Sequence, residues 1–179
     1  MTALRVVGLD LSITATGIAY RDGSTGTISG PSEHGDRRLL TIEQAVTIAL
    51  GGPDIGLGPL PDLVVLEDLP THARAAGITG MVHGVVRALL LRRGVPYVTL
   101  TPATLKAYAT GKGTADKTAM ALAAYKRSGG SEFTDDNQCD AAWLRWAGLD
   151  WLGAPEVTVP AAQRDRLNKA NWPTVKGNS

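Results

Sequence analysis

The first part of the chain alternates short apolar runs with turn-forming residues, a pattern that predicts three successive strands. The run LRVVGLDL (residues 4–11) is followed by GIAYRD (17–22) and by TGTISG (25–30). Each contains residues that favour a pleated, partly buried strand. Because only short segments separate the three runs, we expect an antiparallel meander.

A helix and a buried strand are predicted next. Apolar positions between Asp36 and Leu50 keep approximately helical spacing, and a loop with four glycines and three prolines follows them. The uninterrupted apolar segment DLVVLE (62–67) is typical of a strand that is covered on both faces, and it ends at Glu67.

The remaining pattern is mostly helical. Residues 73–93 are compatible with a helix, VPYVTL (95–100) with another strand, and residues 101–109 with a helix in which Thr101 is the cap and Pro102 the first residue. A glycine-rich turn precedes a further helix up to about residue 128. Asp135 or Thr134 is expected to cap the last long helix. This order predicts an α/β fold with one mixed sheet flanked by helices on both faces.

The composition fits a single core. The 179 residues include 44% hydrophobic and 20% charged residues, and Cys139 as the only cysteine excludes an intrachain disulfide and a multi-cysteine zinc site. The N-terminal residues lack the pattern of a secretory signal, and no apolar run reaches the roughly 20 residues of a membrane span. We therefore expect a cytoplasmic protein without a membrane partner. Residues 1–155 are predicted to form the domain, and 156–179 a basic C-terminal segment.

The net charge of +1 hides a strong segregation of the two signs. Residues 1–70 carry a net charge of −5, 71–130 of +8, 131–160 of −5 and 161–179 of +3. A basic middle region in a nearly neutral protein suits a polyanionic partner such as DNA, although a solvated helix face has the same composition.

Carboxylates occur at three positions where the pattern places them near the ends of elements. Asp10 lies at the end of the first strand, Glu67 ends the buried strand, and Asp140 lies on the last long helix. Asp136 and Asn137 precede Asp140 by one turn, so that the three share a helix face. Clustered carboxylate oxygens are ligands for Mg²⁺ or Mn²⁺, the ions that serve phosphodiester hydrolysis.

Four motifs in this order carry a family resemblance: GLDLSITATGIAY, VVLEDLP, TPATLKAYATGKGTADK and DDNQCDAAWL. With them the chain resembles RuvC-type Holliday junction resolvases over about residues 4–150. The resemblance implies an RNase H-like fold, a homodimer, and cleavage of branched DNA, chiefly four-way junctions, in recombination or replication. It also implies about two Mg²⁺ or Mn²⁺ ions per site.

The resemblance also assigns residues. Asp10, Glu67 and Asp140 match the metal-binding acids, and Lys106 and Lys117 match basic residues near the cleaved strand, with Lys117 included among the catalytic residues. Further DNA contacts are predicted in the basic region and in the first turn: Lys112, Arg74, Arg87, Ser12 and Thr16.

Two departures from the family pattern affect the site. The position three residues before Asp140 is Asn137 instead of an acid, so either Asp136 or Asn137 is expected to be the fourth metal ligand. Leu69 and Pro70 stand where bacterial members tend to carry an aromatic residue. The departures indicate a divergent, phage-borne member in a bacterial or phage-infected cytoplasm.

Two other functions remain compatible with the sequence. A junction-binding protein that does not cleave DNA is one, since Asn137 weakens the acid cluster. An actin-like or sugar-kinase type ATPase is the other, because GLDLSITATG also resembles the first phosphate-binding hairpin of those enzymes. The length disfavours the ATPase, since such enzymes close two related domains over the nucleotide.

Overall fold

The computed structural model describes residues 3–69 and 76–175. Its strands form one mixed sheet in the order β3-β2-β1-β4-β5. The first three strands are the predicted antiparallel meander, and β4 and β5 run parallel to β1. The strands are β1 (Val6–Asp10), β2 (Ala15–Ala19), β3 (Thr25–Ser29), β4 (Leu63–Glu67) and β5 (Tyr97–Leu100).

Two helices of the described residues begin where the capping residues predict. The Thr101 hydroxyl accepts the Thr104 N–H at 3.2 Å, and the Asp135 carboxylate accepts the Gln138 N–H at 2.9 Å. Of the two caps considered for the last long helix, the structure thus selects Asp135. The helices are α1 (Arg37–Leu50), α2 (Ala76–Arg92), α3 (Pro102–Thr110), α4 (Lys117–Ser128), α5 (Asp136–Trp151) and the short α6 (Ala161–Arg164), which leads into a 3-10 helix (Asp165–Lys169).

The sheet is covered on both faces, as predicted. Leu63 and Val65 of β4 pack with α3, α4 and α5 on one face, whereas Val64 and Leu66 pack with α1 and α2 on the other. This alternation follows from the period of two in a strand. We call the side that holds α3, α4 and α5 the α5 face.

The second strand differs from its prediction. It spans Ala15–Ala19 and ends before Tyr20, whereas the pattern placed it over GIAYRD. The Tyr20 N–H donates to the Ser24 carbonyl at 2.8 Å, and Gly23 has φ +89°, a value that favours glycine. Residues 20–24 therefore form the hairpin turn, because the chain reverses there to pair β2 with β3.

Residues beyond α5 pack on the same core as α5. Val157, Leu167 and Val175 are buried in it, and the Arg164 guanidinium pairs with the buried Asp150 carboxylate at 2.8 Å. The division of the chain at residue 155 stays a prediction, but the described part of the C-terminal segment is anchored to the sheet domain.

Within residues 3–69 and 76–175, no helix is long and apolar enough to cross a membrane. The cytoplasmic location stays a prediction.

Candidate active site

Two carboxylates meet at one edge of the sheet, on the α5 face. Asp10 follows Val6 and Gly8 at the period of two in β1, and Glu67 follows Leu63 and Val65 in β4. The two strands are parallel with Leu9 opposite Leu66, so their carboxyl ends coincide. Strand alternation therefore directs both side chains toward α5, which carries Asp140.

Two glycines let α5 approach the sheet closely. A Cβ added at Gly8 would lie 2.1 Å from the Ala141 carbonyl oxygen, and one added at Gly17 would lie 2.1 Å from the Asn137 carbonyl oxygen. Gly17 is also the partner of Asp10 in the β1–β2 ladder. The backbone of α5 thus lies directly on β1 and β2, and this contact places the N-terminal turns of α5 over Asp10.

Burial and neighbouring negative charge make Asp10 and Glu67 reluctant to ionise. Burial, followed by the charges of Asp140 and Asp136, holds the pKa of Asp10 well above its usual range. The pKa of Glu67 is raised as well, first by burial and then by the charge of Asp10. The shared cause is a pair of acids removed from water without a counter-ion in contact.

Asp140 joins the same electrostatic cluster. Burial, and then the charge of Asp136, raises its pKa to about 6, while Lys106 and Lys117 act in the opposite direction. Lys106 also lowers the pKa of Glu67. The structure therefore brings the three predicted acids and both predicted lysines into mutual electrostatic range.

Asp136 and Asn137 occupy different positions at the start of α5. The Lys117 ammonium pairs with the Asp136 carboxylate, and this hydrogen bond is the main reason that the pKa of Asp136 is lowered. The negative charge of Asp136 also raises the pKa values of Asp10 and Asp140. The backbone of Asn137 instead contacts β2 beside Gly17. Asp136 therefore adds its charge to the acid cluster, and the choice between Asp136 and Asn137 as the fourth ligand stays a prediction.

Oxygen ligands suited to a divalent cation are present, although as placed they do not enclose one. Among the described residues, no three side chains of His, Cys, Asp or Glu form a group that could hold a metal ion. Asp10 and Glu67 nevertheless form no ion pair with any described cation. A partly buried, all-oxygen, anionic donor set has the chemistry that suits Mg²⁺ or Mn²⁺.

The turn between β1 and β2 corrects one predicted contact. The Thr16 side chain has no exposed surface, and its hydroxyl donates to the Ser12 carbonyl at 2.6 Å. Thr16 therefore shapes the turn and does not reach DNA directly. The Ser12 hydroxyl lies 2.8 Å from that of Thr14, and Ser12 stays a predicted DNA contact.

The other predicted DNA contacts differ in their surroundings. Arg87 pairs with Asp68 at 3.2 Å, so a phosphate would have to compete with that carboxylate. Lys112 is exposed on the turn after α3, without an ion pair to any described residue. Arg74 lies outside the described residues.

A cleft of about 680 Å³ extends from the acids along α4. Asp136, Asp140 and Lys117 lie among its lining residues, together with Leu122 and Tyr125, which are half exposed. The sequence interpretation did not anticipate this cleft or the roles of Gly8 and Gly17. An isolated glycine inside a strand does indicate a close backbone approach, and that signal was available.

Comparison with known proteins gives consistent relatives. No protein-family model matches the chain. Two curated proteins named crossover junction endodeoxyribonuclease RuvC match the chain. The one from Paenarthrobacter aurescens is 33% identical over 129 residues, and the alignment covers 65% of each chain. The one from Pseudarthrobacter chlorophenolicus is 31% identical over 131 residues, and the alignment covers 65% of this chain and 64% of the relative. The match thus spans about 65% of the length of these two relatives. A phage-borne origin stays a prediction.

A third relative and two solved structures extend the comparison. A third crossover junction endodeoxyribonuclease RuvC, from Frankia casuarinae, is 30% identical over 120 residues, and the alignment covers 64% of this chain and 70% of the relative. The structure of Thermus thermophilus RuvC aligns with a TM-score of 0.63 at 20% identity, and that of T. thermophilus RuvC in complex with Holliday junction substrate with 0.66 at 21%. Each alignment covers 87% of this chain and all of the other, which confirms the RNase H-like fold. The chain therefore belongs to the RuvC family of crossover junction endodeoxyribonucleases.

Proposed function

We propose that the chain is a metal-dependent endonuclease that cuts four-way DNA junctions. The observation that carries the proposal is the meeting of Asp10, Glu67 and Asp140 at the carboxyl ends of β1 and β4, with Lys106 and Lys117 beside them. Carboxylates without a counter-ion in contact can bind a divalent cation, and the neighbouring lysines can bind the phosphodiester that this cation acts on. The names of the curated relatives, and the Holliday junction bound in one related structure, support this substrate.

In this proposal Asp10, Glu67 and Asp140 hold the cation, with Asp136 as the fourth acid. Bound there, one or two Mg²⁺ or Mn²⁺ ions would activate water and stabilise the leaving oxygen. Lys106 and Lys117 neutralise the negative charge of the DNA phosphate, because the acid cluster would otherwise repel that phosphate. Lys117 is 76% exposed, so it can exchange its contact with Asp136 for a phosphate oxygen.

The direct test is incubation with a labelled four-way junction, a fork and a linear duplex, with Mg²⁺ and Mn²⁺ tested separately, followed by a denaturing gel. We expect scission of the junction that depends on the metal and far less scission of the duplex. Retardation of the junction in a native gel without scission in either metal would favour the non-cleaving alternative and contradict the proposal.

The fourth acid can be identified with a pair of variants in α5. Asp136→Asn should lose most of the metal-dependent cleavage, by about tenfold or more, because it removes one negative charge from the cluster. Asn137→Asp should keep its activity or gain activity at low metal concentration, since it adds a carboxylate where the family has one. Both are measured as cleavage rates across a metal titration, with the melting temperature as the control for folding. Normal cleavage by Asp136→Asn with a lower melting temperature would reduce Asp136 to a favourable charge at the helix N-terminus.

We also propose a homodimer through the exposed face of α2. Ile78 and Met81 are 53% and 43% exposed, and no atom of the described residues lies within 4 Å of a Cβ added at Gly77, Gly80 or Gly84. Apolar and small side chains on one open helix face allow a second helix to pack closely. Two copies would also supply the two sites that symmetric incision of a junction requires.

Met81→Asp should convert a dimer to a monomer at micromolar concentration, because a buried unpaired carboxylate at the interface is costly. Sedimentation equilibrium measures the change. The matched control is Leu40→Asp on α1, where the leucine is 66% exposed and lies outside the α2 face. A wild-type chain that is monomeric both alone and bound to a junction would contradict the dimer.

A further inference from the structure

The C-terminal segment is held rigidly beside α3. Leu167 is 1% exposed, its carbonyl accepts the Trp172 indole N–H at 2.8 Å, and the Trp172 ring stacks on Trp151 at a centroid distance of 4.7 Å. The Arg127 guanidinium also donates to the Thr158 carbonyl at 2.7 Å. These contacts hold the 3-10 helix (Asp165–Lys169) in place beside α3.

A groove of about 470 Å³ lies between α3 and this 3-10 helix. Small residues of α3 and of the following turn leave it open: Ala103, Ala107, Gly111 and Gly113 all line it. A Cβ at Gly113 would lie 3.1 Å from the Ala103 carbonyl oxygen, so larger residues would displace the backbone at this point. We call this space the α3 groove.

The α3 groove is cationic. Arg166 and Lys169 line it, and among the residues that the structure describes no carboxylate and no aromatic ring lines it. Both side chains are exposed, and neither forms an ion pair with a residue of the described part of the chain. Two unpaired cations at fixed positions form a site for anionic oxygens, for which the arginine fork and the lysine point charge are both suited.

The α3 groove is adjacent to the acid cluster. Lys106, whose charge acts on Glu67 and Asp140, belongs to the same helix. At about 100° per residue, Lys106 lies roughly 60° around α3 from Ala103, which lines the groove. A DNA strand with one phosphate at Lys106 can therefore follow the surface of α3 into the groove.

We propose that the α3 groove binds the phosphodiester backbone of the DNA strand that continues from the scissile phosphate. This inference rests on the proposed nuclease function and adds a second, non-catalytic phosphate site to it. The described part of the groove lining contains no aromatic ring, which favours the backbone over a stacked base, so the contact is independent of base sequence. Lys106 lies in the middle of α3, and the groove residues Ala103 and Gly111 lie within about 8 Å of it along the helix axis, so the contacted phosphates lie within about three nucleotides of the cut.

The test measures junction binding by Asp10→Asn protein, which cannot cut its ligand, over a range of salt concentrations. Adding the double change Arg166→Ala and Lys169→Ala should make the slope of log affinity against log salt shallower by about two units, one for each lost phosphate contact. The exchange of the two cations, Arg166→Lys with Lys169→Arg, should keep the slope. Lys126→Ala is the matched control, an exposed lysine near the far end of α4 from Lys117 and outside the groove.

A second measurement removes the phosphate charges of the DNA instead of the cations of the protein. Single phosphates of the junction are replaced by neutral methylphosphonates, and binding to Asp10→Asn protein is compared at each position. Loss of affinity at one to about three nucleotides from the cut, absent in the double variant, supports the groove. A scan without a sensitive phosphate in that window, or an unchanged salt slope in the double variant, overturns it and leaves the nuclease function intact. If Asp10→Asn protein binds no four-way junction at all, both the groove and the proposed function are wrong.

Discussion

Asp10→Asn should reduce metal-dependent cleavage of a four-way junction by on the order of a thousandfold, a loss of about 4 kcal/mol of transition-state stabilisation. The charges of Asp140 and Asp136 both raise the pKa of Asp10, and the charge of Asp10 in turn raises the pKa of Glu67. The amide keeps the size of the side chain but not its charge. Junction binding should persist or tighten, since less negative charge faces the phosphates. Single-turnover cleavage and native-gel binding measure the two effects separately.

Thermal unfolding provides a readout of the same variant without DNA. In a chelator, Asp10→Asn should melt at a higher temperature than the wild type at neutral pH, because a carboxylate whose pKa is raised by burial and like charge destabilises the fold when ionised. Added Mg²⁺ should raise the melting temperature of the wild type and have a smaller effect on the variant. Glu33→Gln, at an exposed carboxylate outside the cluster, is the control and should behave as the wild type. Cleavage by Asp10→Asn within a few fold of the wild-type rate would contradict the assignment.

Gly8→Ala should cost about 3 kcal/mol or more of unfolding free energy or prevent folding, because the new methyl group would overlap backbone atoms of α5. The added Cβ would lie 2.1 Å from the Ala141 carbonyl oxygen and 2.7 Å from the Arg145 nitrogen, neither of which can turn aside. Gly17→Ala should have a similar effect through Asn137. Any folded fraction should cleave poorly, since α5 carries Asp140 and must move away from Asp10. Urea denaturation and the cleavage assay measure the two consequences.

The matched control is Gly30→Ala, the same substitution in the residue after β3. A Cβ at that position would lie 3.5 Å from the Arg38 Cγ, an ordinary contact with a flexible side chain, so alanine should change the unfolding free energy by no more than about 0.5 kcal/mol. Equal stability of Gly8→Ala and the wild type would show that α5 is free to shift, and it would remove the structural reason for the acid cluster.

The periodicity of the chain determined most of the architecture. A meander, a strand buried on both faces and capped helices follow from alternation, from the unbroken apolar run of β4 and from Thr101 and Asp135, and the structure confirms these elements. The weakest prediction was the end of β2, which was extended through the Tyr20–Ser24 turn because Tyr20 suits a strand. The turn is imposed by pairing with β3, and local pattern contains no information about that pairing.

The residue types at the candidate site were also determined by the sequence, whereas their arrangement was decided by tertiary packing. Asp10, Glu67 and Asp140 are separated by dozens of residues, and they meet because parallel pairing aligns β1 with β4 and because Gly8 and Gly17 admit the backbone of α5. The same packing buried the Thr16 hydroxyl within its turn, and it fixed Arg166 and Lys169 beside α3. Sequence spacing reports which face of an element a side chain occupies; burial, pKa and the distance between elements depend on contacts between residues far apart in the chain.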